Sequence, residues 1–160
     1  MTPNPAPPPS RWPTVLAWIQ WAVHRLDALQ PAAALMARAY VAEVFFRSGL
    51  TKIQDWETTQ LLFESEYQVP LLSPAVAAVM GTAGELVLPV LLLLGLAGRF
   101  SALGLAVVNV VAVVALPDMP AAAFQAHVTW GLLLAGVALY GPGAWSVDAR
   151  LQQRCWGASR

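Results

Sequence analysis

The sequence predicts an all-α integral membrane protein: a four-helix bundle of membrane spans, with an N-terminal amphipathic interfacial helix before it and a short surface helix between spans one and two. Two observations carry this. Of 160 residues, 58% are apolar and only 11% are charged, and the mean hydropathy is +0.57. Soluble domains are about 25% charged. Four stretches are also long and apolar enough to cross the hydrocarbon, which takes about 17 to 25 helical residues. The length fits one small bundle and no second domain. A net charge of zero gives no sign of nucleic-acid binding. The single cysteine, Cys155, excludes an intrachain disulfide and a cysteine-based metal cluster. The start, MTPNPAPPPSRW, has proline where a signal peptide needs an apolar core, so no signal peptide is expected.

The elements follow in order. Residues 1–13 hold six prolines and read as a disordered, extended tail. In 14–30, Val15, Leu16, Ile19, Val23, Leu26 and Leu29 recur at helical spacing between Gln20, His24, Arg25 and Asp27, with Trp18 and Trp21 adding aromatic mass. That stretch is too polar to span. It predicts an amphipathic helix lying in the membrane interface, where tryptophan is favoured. The bundle occupies 33–148, with spans at 33–53, 72–95, 100–116 and 121–140. Between the first two spans, Trp56, Leu62, Phe63 and Tyr67 share one side of a short surface helix, and Asp55 is placed to cap it. Residues 149–160 form the tail.

Orientation follows the distribution of Lys and Arg near the span ends. Arg11, Arg25, Arg99, Arg150, Arg154 and Arg160 fall on one side; Lys52, with or without Arg47, falls on the other. Both termini are therefore expected in the cytoplasm, and Trp56–Tyr67 outside.

Charges inside the spans are the lead to function. A charged side chain at the bilayer centre costs about 2.5 to 3.5 kcal/mol on insertion scales. Arg38, Gly49 and Lys52 fall near one helical line of span one, while Glu43 and Arg47 form an i, i+4 pair on nearly the opposite side. Arg38 and Lys52 either snorkel to the two boundaries or serve a site. Glu85 is mid-span, with Ala78 and Gly81 on its face and Pro89 four residues later. It is read as a buried pair or proton site, against a structural ion pair with Arg47 or Lys52. His127 lies on a stripe with Gly131, Ala135 and Ala138, and Asn109 on one with Ala102, Ala106 and Ala112. Both fit interhelical hydrogen bonding. Met80, Met119 and His127 are ligand types that suit Cu(I), but nothing in their spacing argues for copper, and no metal site is predicted.

These residues also carry a family pattern. Span one reads R-x10-G-x2-K as Arg38, Gly49 and Lys52. Span two reads E-x9-G-x3-R as Glu85, Gly95 and Arg99. The last span ends in GPGAWSVDARL, with Gly141, Gly143, Ser146 and Asp148 in a G-x-G-x-x-S-x-D ending. Over about 35–150 the chain resembles the DoxX family of small four-span bacterial membrane proteins. The stretch DWETTQLLFESEYQVPLL looks like a subgroup encoded beside multinuclear iron oxidases that modify cysteines in copper-buffering peptides. The resemblance implies the bacterial inner (plasma) membrane, a link to membrane oxidoreductase systems, and an accessory role at most in any enzyme. The expected function is a membrane-embedded subunit that docks a soluble or exported oxidoreductase and holds a quinone, thiol or proton relay between its spans. Glu85 and His127 would handle protons, and Arg38, Lys52, Arg99 and Asn109 would contact the bound group. The alternative is a non-catalytic scaffold or small transporter that supports handling of a metal-binding peptide, with lipid and that peptide's modification system as partners.

Overall fold

The computed structural model describes residues 12–157. The predicted tail of 1–13 and the end of the predicted 149–160 tail fall largely outside them. Six helices follow in order: α1 Trp12–Gln54, α2 Trp56–Ser65, α3 Pro74–Leu94, α4 Gly98–Ala115, α5 Ala121–Tyr140 and α6 Val147–Gly157. There is no strand among the described residues. The all-α prediction holds.

One expectation is corrected. The 14–30 helix and the 33–53 span were expected as two elements, but they are one helix of 43 residues with Pro31 inside it. Proline removes one backbone hydrogen bond and clashes with the carbonyl four residues earlier, at about 3 kcal/mol or more. Here strong helix formers follow it directly, in the run PAAALMARA, and the helix persists.

The chain divides into two compact units at Gln30 and Pro31. In the first, every residue from Thr14 to Gln30 is exposed. Trp18 and Trp21 meet edge to face at 5.9 Å between centroids, and the Arg25 guanidinium sits 5.2 Å from the Trp21 ring. The apolar residues that recur along this helix have no protein cover within the unit.

The second unit, Pro31–Arg160, has a core built from four helices. Val41 and Phe45 of α1, Leu92 of α3, Ala102 and Leu105 of α4, and Leu134 and Val137 of α5 pack together. Helices α3, α4 and α5 are 21, 18 and 20 residues long and apolar enough to cross a membrane. Their outward residues, among them Val87, Val90, Leu103, Val107, Val110 and Leu132, are exposed, a surface compatible with lipid. The second half of α1 packs beside them but carries Arg38, Glu43, Arg47 and Lys52, so composition alone does not mark it as a span.

Helix α2 starts as predicted. The Asp55 Oδ1 accepts from the Thr58 N–H at 3.1 Å. Hydrogen bonding from Thr58, by side chain and backbone, holds that carboxyl below its ordinary value. Thr59 Oγ1 donates to the Lys52 carbonyl at 3.0 Å, which ties the start of α2 to the end of α1. Phe63 of α2 packs on Ala77 and Ala78 of α3, with Trp56, Tyr67 and Val69 around it. The loop after α2 then donates from the Gln68 N–H to the Ala115 carbonyl at 2.8 Å. That satisfies one of the orphan carbonyls at the end of α4 and fixes Tyr67 over the helix ends.

Candidate functional site

The inward line of α1 has two poles. At the first, Arg38 is fully buried. Its Nη1 donates to the carbonyls of Leu93 at 2.9 Å and Leu92 at 3.3 Å, and its Nη2 donates to that of Trp145 at 2.6 Å. The first two acceptors lie in the last turn of α3, where carbonyls lack helical donors and a cation is favoured. Gly95 follows with φ +66, and a Cβ there would collide with Ser146 and with Arg38 Nη1. Ser146 Oγ donates to the Gly143 carbonyl at 2.6 Å. The Asp148 carboxylate accepts from the Ala97 N–H at 2.9 Å and the Gly98 N–H at 2.7 Å, and so caps α4 from a distant part of the chain. Arg38, Gly95, Gly143, Ser146 and Asp148 thus form one fastening between α1, α3, α4 and the chain leaving α5. Asp148→Ala is expected to lower stability by about 1 to 2 kcal/mol, the upper range for losing a helix N-cap. Thermal melting in detergent checks it, and Asp148→Asn should recover part of the loss.

The second pole is the candidate site. Gly49 lets α1 approach α3 closely: a Cβ there would come within 2.9 Å of the Leu86 side chain and 3.1 Å of Glu85 Cβ. One turn on, Lys52 Nζ donates to Glu85 Oε2 at 2.6 Å and to Ser48 Oγ at 2.9 Å. The pair is largely enclosed, with side-chain exposures of 20% and 10%. Of the two partners expected for Glu85, the structure selects Lys52. Arg47 pairs instead with Glu43 at 2.7 Å on the outward side of α1.

On the facing helices, Asn109 Nδ2 donates to the His127 carbonyl at 2.9 Å, and His127 Nδ1 lies 2.8 Å from Asn109 Oδ1. A carbonyl only accepts, so the amide nitrogen must face it. The Asn109 oxygen then accepts, and Nδ1 must carry the proton. Neutral His127 is left with a lone pair on Nε2. Gly131 makes room for this arrangement, since a Cβ there would stand 3.3 Å from Asn109 Nδ2. The His127 ring meets Trp130 edge to face at 4.8 Å, and Trp130 meets Phe45 at 5.8 Å.

Lys52, Glu85 and His127 line a single cavity of about 420 Å³. Ser48, Tyr67 and Trp130 join them; the rest of the wall is mainly apolar and includes Phe45, Phe63, Val108 and Val111. Met80 and Val107 belong to the wall and are themselves exposed, so the cavity reaches the outer surface of the helices. Burial pushes the Tyr67 phenol up, and the charges of Glu66 and Glu85 add to the shift.

Of the six residues expected at the site, three are brought together there and Asn109 holds one of them. Arg38 is at the other pole, with both Nη atoms of its guanidinium bound to carbonyls. Arg99 borders a separate surface depression beside Tyr140, Pro142, Asp148 and Gln152. Sequence reasoning missed Tyr67 and Trp130. Phe63 and Tyr67 are four apart, and their rings meet at 5.0 Å. That i, i+4 aromatic pair was the available signal for Tyr67.

The DoxX family model matches residues 33–118, from the second half of α1 through α4. The GPGAWSVDARL ending lies beyond the matched stretch. Comparison with curated proteins and with solved structures returned no match. Three membrane-competent helices together with a match over more than half the chain settle the broad identity: the chain is a membrane protein and belongs to the DoxX family.

Proposed function

We propose that this protein is a membrane-embedded accessory subunit of an oxidoreductase or stress- and metal-handling system, and that its cavity takes the headgroup of a quinone. The second half of α1 is the first of four spans, both termini are cytoplasmic, and the membrane is the bacterial inner membrane. A soluble or exported oxidoreductase, or a peptide-modifying partner, docks against it. The observation that carries the reading is the cavity: apolar walls with an ammonium, a carboxylate, a phenol and an imidazole around one space.

A quinone headgroup is a flat apolar ring with carbonyl acceptors, and these residues fit it. When bound, it supplies two-electron, two-proton chemistry. Lys52 would donate to a carbonyl oxygen while Glu85 fixes its position. His127, its Nδ1–H held by Asn109, would present Nε2 as the acceptor for a hydroxyl of the quinol form. Tyr67 would donate from its hydroxyl, and the apolar wall would orient the ring.

The test is binding of a short-chain ubiquinone analogue to the protein in nanodiscs. Saturable fluorescence quenching is expected, reduced in Trp130→Phe and lost in Ala112→Trp, which fills the space. Quenching that never saturates, or that persists in Ala112→Trp, contradicts the reading. Reporter fusions after Gln68 and Arg154 test the topology; a cytoplasmic signal at Gln68 contradicts it. One observation favours the scaffold or transporter reading. Lys52, Glu85, Glu43 and Arg47 are already paired within the chain, as static structural charges would be.

A further inference from the structure

Between Pro31 and Lys52, the exposed residues of α1 are Ala33, Met36, Tyr40, Glu43, Arg47 and Thr51. They recur at steps of three and four, the spacing of a seam between two helices. The centre of the stripe is the Glu43–Arg47 pair, with side chains 57% and 76% exposed. The depth of that pair follows from two contacts already described. Gly49 is against Glu85 and Leu86, and Arg38 reaches the carbonyls of Leu92 and Leu93. Glu43 and Arg47 lie between positions 38 and 49 on the same helix. They are therefore level with the 86–92 stretch of α3, inside the apolar run Pro74–Leu94. Arg47 is about 13.5 Å along the axis from Arg38 at 1.5 Å per residue.

An ion pair at that depth, facing outward, is not satisfied by itself. Arg47 has five N–H donors, and the pair engages few of them. Hydrocarbon supplies no acceptor for the rest, and desolvating two charges costs more than one contact returns unless further hydrogen bonds follow. The face needs a cover that is itself polar and charge-complementary at the same depth.

We propose that the cover is a second copy of this chain, with the two α1 stripes facing across a two-fold axis along the membrane normal. Such an axis keeps both copies at one depth and in one orientation. At that depth the axis sets Glu43 beside Glu43 and Arg47 beside Arg47, so each long Arg47 side chain reaches diagonally, one helical turn, to Glu43 of the other copy, and the four side chains form a group of zero net charge. A single-sign stripe would repel its own copy at every level; this one carries both signs within one turn, so each cation has two carboxylates in reach. The proposal rests on the reading that α1 crosses the membrane beside α3.

The experiment uses the full chain in native membranes, in a Cys155→Ser background. Met36→Cys, on the stripe, should give oxidative crosslinks between copies, whereas Leu132→Cys, exposed on α5, should not. Glu43→Arg makes the stripe all basic and Arg47→Glu makes it all acidic. Each alone should lose the Met36→Cys crosslink. Co-expressed under different tags, the two should recover it as a mixed pair, which also shows that both fold. Crosslinking that is unchanged by either reversal, that fails to return in the mixture, or that joins Met36→Cys to a different protein overturns the proposal. Labelling of Glu43→Cys by a membrane-impermeant maleimide separates the two levels. A labelled cysteine places this part of α1 outside the bilayer and sinks the four-span reading with it. An unlabelled, uncrosslinked chain sinks the dimer alone.

Discussion

Arg38→Met is expected to lower stability by more than about 3 kcal/mol, because it strands the carbonyls of Leu93 and Trp145, which a charged donor now satisfies; that of Leu92 keeps the Gly95 N–H. Arg38 makes three hydrogen bonds to Leu92, Leu93 and Trp145 from a fully buried position. Bonds from a charged donor contribute about 1.5 to 3 kcal/mol each. Methionine keeps much of the volume and none of the donors. Lysine keeps the charge but replaces a planar fork by a point ammonium. It cannot bridge two carbonyls of α3 and one at Trp145 in the same way, so Arg38→Lys should fall between wild type and Arg38→Met. Gly95→Ala attacks the same fastening from the other side, since its Cβ would enter the space of Ser146 and Arg38. Melting followed by circular dichroism in detergent reads the series. If Arg38→Met melts with the wild type, the fastening is not what joins α1 to the end of α3.

Arg38 also shows how far the sequence reaches. Its place on an inward line with Gly49 and Lys52 follows from helical spacing, and the burial of Glu85 follows from its small-residue face. What Arg38 touches does not follow. Trp145 and Asp148 come from a segment with no periodicity, and their partners are backbone groups that no side-chain pattern marks. The choice of Lys52 over Arg47 for Glu85 was open for a similar reason. Both are cations on one helix. The face that α1 turns to α3 decides between them, and the close approach of Gly49 to Leu86 and Glu85 marks that face as the one with Lys52. The separation of 14–30 from 33–53 came from their difference in polarity, and a change of polarity along a helix does not itself break the helix. Tyr67 was missed because a loop places it, through the bond from Gln68 to Ala115, and loops carry little pattern.

The second large effect is at Lys52 and Glu85. Glu85→Ala leaves an ammonium in a mostly enclosed position, and Lys52→Met leaves a carboxylate there. Breaking a buried pair by removing one partner costs about 3 to 5 kcal/mol, whereas replacing both by apolar groups of similar size is often neutral. Glu85→Ala and Lys52→Met should therefore each melt well below the wild type, and Lys52→Met with Glu85→Leu should melt near it. This asymmetry makes the double variant more informative than either single one. It keeps the packing of α1 on α3, because Gly49 and Leu86 are untouched, and it removes the polar end of the cavity. Under the proposed function it should be folded and bind the ubiquinone analogue at least tenfold more weakly, a difference of about 1.4 kcal/mol. Glu85→Gln, which keeps the shape but loses the charge that holds Lys52, should bind the analogue more weakly than the wild type and more tightly than the double variant. If the double variant is folded and binds as the wild type does, the charges contribute nothing to recognition. They are then static pairs, and the scaffold reading replaces the quinone site.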